Sequence, residues 1–164
     1  MTKDESFDWV ERECGACQAC CQVMGIHELG KPEQQRCPHQ CKKGCGIYEE
    51  RPGSCQAYRC RWLHGDPNLV QRDRPDRLGV IFDNHSALQG ELQGLKYIVA
   101  REVRPGAFKG KRAARWMRAL EEDRILVWVN FAGDNKVTGP VELLKELDKR
   151  QAAAEAEAED SAPE

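Results

Sequence analysis

The rhythm of apolar positions changes near Trp62. Beyond it, Leu78–Phe82 and Leu95–Val103 are dense in β-branched and aromatic residues and read as strands. The turn formers between Asp83 and Gly94 make them an antiparallel pair, and Pro105-Gly106 ends the second. Lys109 to Asp123 follows a helical period, with Ala113, Trp116, Met117 and Leu120 on one face. Arg124–Phe131 reads as a third strand and Gly133-Asp134-Asn135 as a turn. Pro140 suits the first turn of a last helix with Val141, Leu144 and Leu147 as its stripe. Trp62, Trp116, Trp128, Tyr97 and Phe131 read as packing residues.

Before Trp62 the pattern is weaker. Ser6 is a candidate N-cap for a short helical lead-in over residues 6–13. Val23 to Leu29 suggests a short strand, and Gly30-Lys31-Pro32 a turn. Residues 37–60 have little periodicity and many turn formers (Pro38, Gly44, Gly46, Pro52, Gly53). From Gln151 the chain is Ala/Glu-rich, expected to extend the last helix for a turn or two and to end in disorder. The expected class is α+β. A cysteine-rich, metal-stapled lobe (1–65) packs on a small, mostly antiparallel sheet with covering helices (66–150), followed by an acidic tail (151–164).

The lobe is where the chemistry lies. All nine cysteines fall between Cys14 and Cys60: Cys14, Cys17, Cys20, Cys21, Cys37, Cys41, Cys45, Cys55 and Cys60. Gaps of two and three residues bring several sulfurs near one point, as thiolate-bound zinc or an iron–sulfur cluster requires. Cys14-x2-Cys17-x2-Cys20 has ferredoxin-like spacing, but Cys21 follows at once where that run would continue with three other residues. Neighbouring side chains such as Cys20 and Cys21 tend to point apart, so they suit different metals. Nine thiols allow two four-sulfur sites with one to spare, or one cluster and some unliganded thiols. A metal would also supply folding free energy that this stretch lacks, on the order of 10 kcal/mol for structural zinc. His39, inside Cys37-Pro-His-Gln-Cys41, is a further candidate ligand, although a lone histidine is more often a surface residue.

Charge and targeting signals narrow the setting. No apolar run approaches the roughly 18 residues of a membrane span, and the charged N-terminus lacks a secretory h-region. A cytoplasmic protein with no membrane partner is expected. Thiols stay reduced there, which favours metal ligation over a disulfide framework, as does the odd cysteine count. The net charge of -2 hides an acidic tail; residues 1–150 alone carry a formal +3. Neither value demands a nucleic acid.

The cysteine region resembles the YkgJ-type cysteine-cluster family, described as a zinc- or iron-chelating domain. The resemblance rests on Cys14-x2-Cys17-x2-Cys20-Cys21, on Cys45-Gly-Ile-Tyr-Glu-Glu-Arg-Pro-Gly-Ser-Cys55 and on Gln-Ala-Tyr-Arg-Cys60. It covers about residues 12–62, with Arg61-Trp62-Leu63 and Arg74-Pro75-Asp76-Arg77 adding to it. It implies bound zinc or iron, including an iron–sulfur cluster. The flagellin lysine N-methylase, a much longer enzyme, shares this type of motif. Tyr48, Arg51 and Pro52 belong to the frame of the pattern, and Arg51 is a candidate partner for cluster thiolates or nearby carbonyls.

Two further functions remain open at this stage. One is a redox or methyl-transfer enzyme acting through the cluster on a protein or small molecule, for which no cofactor motif is present. The other is a zinc-stabilised adaptor for nucleic acid or protein. It would use the basic stretch Arg101, Arg104, Lys109, Lys111, Arg112, Arg115 and Arg118, of which Lys111, Arg115 and Arg118 share a helix face. A solvated helix face explains the same residues.

Overall fold

A computed structural model describes residues 10–86, 94–131 and 134–160. Its centre is a four-stranded sheet formed by β3 (Val80–Ser86), β4 (Lys96–Glu102), β5 (Leu126–Phe131) and β6 (Asp134–Thr138), in that spatial order. A separate short hairpin in the cysteine region is formed by β1 (Gln40–Cys41) and β2 (Gly44–Cys45). β3 and β4 are antiparallel, with Val80 opposite Glu102, and β5 and β6 are antiparallel. β4 and β5 run parallel, joined by a crossover through α5 (Lys111–Glu122). The class is α+β, as the alternation of strand and helix patterns implied.

Period-two burial explains why one sheet face takes the helix. Val80, Phe82, Ile98, Ala100, Val127 and Val129 form one core with Leu78, Ala113 and Leu120, and Trp116 and Met117 pack against it. Each fully buried aliphatic or aromatic side chain stabilises by about 1.5–3 kcal/mol. The opposite face carries Ile81, Asp83, Arg101 and Asn130, all buried. A second core spans from this side into the cysteine region: Ala19, Val23, Cys60, Trp62, Leu69 and Ile81.

Several local expectations change. Val23–Leu29 is not a strand. α1 (Ala19–Val23) ends there, and His27–Leu29 is a single 3-10 turn closed by Gly30 at φ 57°. That tight reversal leaves only an isolated bridge between Ile26 and Lys31, too short for a ladder. Asp134 and Asn135, expected in a turn, begin β6 and pair with Phe131 and Asn130. A polar edge strand lacks the apolar alternation that marks a buried one. Ser6 and the segment between β3 and β4 (87–93) lie outside the described residues.

Residues 10–13 are not helical. The Arg12 guanidinium anchors them, donating to the Trp62 carbonyl at 2.7 Å and to those of Asp66 and Leu69, with its cation over the Trp62 ring. Val10 N–H donates to Gly65 O, and a Cβ at Gly65, φ +100°, would collide with the Val10 carbonyl. α6 (Val141–Asp160) runs well into the acidic tail. No helix among the described residues is long and apolar enough to cross a membrane.

Candidate metal centre

All nine thiols are free of disulfides. Their placement starts with a turn. Gly15, at φ +53°, lets Cys17 N–H reach the Cys14 carbonyl at 3.0 Å. α1 follows, and although successive residues rotate by about 100° around its axis, the Cys20 and Cys21 thiols stay within hydrogen-bond reach of each other instead of pointing apart as expected. Cys20 and Cys17 pack against the second core beside Cys60. Cys60 is the N-cap of α3 (Arg61–His64), its sulfur accepting from Leu63 N–H at 3.5 Å.

The thiols sort into two neighbourhoods. In the first, Cys14, Cys17, Cys20 and Cys60 are electrostatic neighbours. Burial pushes the Cys60 thiol up to about 12, with Cys14 and Cys17 adding to the rise. Burial also raises Cys17, against hydrogen bonds from the Ala19 and Asp76 backbones. Desolvation raises Cys14 despite the opposing charges of Arg59, Arg51 and Arg74.

In the second neighbourhood, Cys55 interacts with Cys21 and Cys37. Cys37 N–H donates to the Cys21 carbonyl at 2.7 Å. Cys55 rides on α2 (Gly53–Ala57), which Pro52 precedes as N-cap. Glu28 pins this helix from the 3-10 turn, accepting from Ser54 N–H at 3.1 Å and Ser54 Oγ–H at 2.8 Å. Lys31, only 6% exposed, has Cys37, Cys21, Cys20 and Cys55 as charge neighbours, and its ammonium donates to the Met24 carbonyl. The two neighbourhoods touch where Cys20 and Cys21 hydrogen-bond. That bond raises Cys20 and lowers Cys21 to about 7, with Lys31 helping to lower Cys21.

Cys41 and Cys45 lie on the small hairpin of β1 (Gln40–Cys41) and β2 (Gly44–Cys45). Cys41 pairs with Gly44 and Cys45 with Gln40, so alternation puts the two cysteines on opposite hairpin faces. His39 contributes its carbonyl to this hairpin, accepting from Gly46 N–H at 2.8 Å. The Arg51 guanidinium stacks over Tyr48, 4.0 Å from the ring centroid, as well as acting on Cys14.

Among the described residues, no three His, Cys, Asp or Glu side chains are gathered into a group that could hold a metal ion as they stand. The donor chemistry nevertheless suits a soft or borderline metal: free thiols, N–H groups aimed at the Cys17 and Cys60 sulfurs, and cations beside Cys14 and Lys31 beside Cys21.

Some contributors carry no sequence signal. Lys31 is one, hidden in a turn. Another is the tie between lobe and sheet: Tyr58 O–H donates to Asp83, Arg101 pairs with Asp83, and Arg101 lies 3.7 Å from Glu33. Gln34 also donates to Asn130 across the same boundary. The basic stretch is partly structural. Arg101 is used in this tie, and Arg104 donates to the Asp76 and Arg77 carbonyls. Arg112 chelates the buried Asp73 carboxylate, which also accepts from Trp116 Nε1–H at 2.9 Å and Val70 N–H at 2.8 Å. Lys109, Lys111, Arg115 and Arg118 remain exposed. Compared with protein-family models, curated proteins and solved structures, the chain matches none.

Proposed function

We propose that residues 14–60 are a YkgJ-type metal centre, binding zinc or iron through cysteine thiolates, with an iron–sulfur cluster as one form of the iron. The observation that supports this reading is the density of free thiols between Cys14 and Cys60, several of them beside arginine or lysine cations and backbone N–H donors, although among the described residues no three stand as a metal-holding group in this structure. Thiolates are the ligating form, and four of them on a divalent ion leave a net -2. Arg51, Arg59 and Arg74 beside Cys14 offset such charge, and N–H groups at Cys17 and Cys60 stabilise sulfur in its anionic state. When bound, the metal would supply Lewis acidity or redox capacity. The residues themselves bind it, balance its charge and fasten it to the sheet. The redox or methyl-transfer reading and the adaptor reading gain no comparable support from the side chains.

Anaerobic purification followed by metal and sulfide analysis and a visible spectrum tests the proposal. Iron and sulfide with broad absorption near about 400 nm indicate a cluster bound by cysteine sulfur. A colourless zinc protein indicates a thiolate zinc site. Folded protein free of both metals would refute metal binding.

A further inference from the structure

Away from the cysteines, a cleft opens at the outer edge of the sheet, and we propose that it binds a small aromatic carboxylate. The cleft has a volume of about 390 Å³ and lies between α5, β3 and the turn that follows α3. That size falls among small-molecule sites, which run from about 300 to 1,000 Å³. None of its lining residues is a cysteine, so binding here is independent of any metal.

The cleft follows from the topology. β3 is an outer strand, so the sheet ends there. α5 packs on one face through Leu120 and meets Phe82, while Leu69 belongs to the other core with Ile81. The two cores leave a gap beside the strand, floored by Leu69, Phe82 and Leu120. Trp116 packs against both cores and stands in the wall. Its Nε1–H donates to Asp73 at 2.9 Å, which sets the ring plane before a ligand arrives.

The two guanidinium groups on the lining differ. Arg61 is committed: its Nε donates to the buried Asp66 carboxylate at 2.5 Å and its Nη1 to Asn84 at 3.3 Å. Arg115 is exposed and forms no salt bridge among the described residues; its cation lies 5.9 Å from the Trp116 ring centroid. A carboxylate can take the Arg115 fork in two parallel hydrogen bonds, with its ring on Trp116 and the apolar floor. Asp123, the one carboxylate on the lining, lies more than two turns further along α5, about 12 Å away. A polyphosphate would bring more charge than one uncommitted guanidinium offsets.

The test titrates full-length protein with naphthoate, to about 1 mM, followed by two-dimensional amide and indole NMR. The Trp116 indole N–H and the Arg115 and Ala119 amides should shift together. Naphthamide, its uncharged analogue, should bind about 10–100-fold more weakly, and so should naphthoate to Arg115→Gln, whose exposed site leaves the fold intact. Ala119→Leu adds bulk to the half-buried wall and should abolish the shifts. Arg118→Gln, an exposed cation outside the lining, should bind as the native chain does.

Absence of shifts at these three residues overturns the site. Equal binding of naphthamide, or undiminished binding to Arg115→Gln, overturns the carboxylate assignment. Unaltered binding to Ala119→Leu places the ligand elsewhere and overturns the cleft. An equal loss in Arg118→Gln reduces the effect to general charge attraction and overturns it as well.

Discussion

The two faces of the central sheet are held by different physics. On one, Val80, Phe82, Ile98, Ala100, Val127 and Val129 meet Ala113 and Leu120 of α5 with only apolar side chains in the core. On the other, Ile81 is apolar, but Asp83, Arg101 and Asn130 stand beside it and reach Tyr58, Glu33 and Gln34 of the cysteine region. The first face gains stability from area removed from water, without directed contacts. The second depends on directed, desolvated polar contacts, which are costly when one partner is lost. A lobe fastened this way, with few apolar residues of its own, is where a metal would contribute most to order.

The largest expected effect of a single substitution is at Asp83. Asp83→Ala leaves the buried Arg101 cation, whose Nε already has no hydrogen-bond partner, with only the more distant and exposed Glu33 carboxylate, and removes the acceptor of Tyr58. A loss of about 3–5 kcal/mol in urea unfolding is expected. Phe82→Ala, on the apolar face, should cost a similar amount, about 3–5 kcal/mol. The two variants should differ in kind: Asp83→Ala should also weaken metal retention, whereas Phe82→Ala should not. Equal effects on metal retention would erase the distinction between the faces.

Asp73→Asn should cost less, about 2–3 kcal/mol, because Arg112 on the far side of the pair is partly solvated. Burial disfavours the Asp73 carboxylate, but Arg112, Trp116 and Val70 hydrogen bonds outweigh it and hold its pKa below the usual value. Its contribution is therefore present above the unfolded carboxylate pKa of about 3.9 and lost as pH falls through the lower folded value. Asp73→Asn should flatten the acid limb of the stability profile, and an unchanged limb would contradict this assignment. The smallest effect belongs to Arg118→Glu on the exposed face of α5, within about 0.5 kcal/mol.

The contrast between faces also explains what the sequence made legible. Strands β3, β4 and β5 and helix α5 were visible because their apolar positions repeat at two and near three and a half. β6 was not, since Asp134, Asn135 and Lys136 on a solvent-facing edge need no apolar alternation. The cysteines announced themselves by spacing, but their grouping did not. It depends on the turn at Gly15, the contact between Cys20 and Cys21, and the return of Cys37 and Cys55 from distant positions. Lys31 and the Tyr58–Asp83–Arg101 tie were invisible because long-range polar contacts leave no local period.

Hydrogen exchange on metal-loaded and metal-stripped protein, compared amide by amide, tests most directly whether metal orders a lobe docked on a sheet that folds by itself. Stripping should speed exchange at Cys17, Cys21 and Cys37, whose N–H groups bond within the lobe, and leave Ile98 to Arg101 of β4 protected. Exchange unchanged in the lobe, or accelerated equally in β4, would contradict that division.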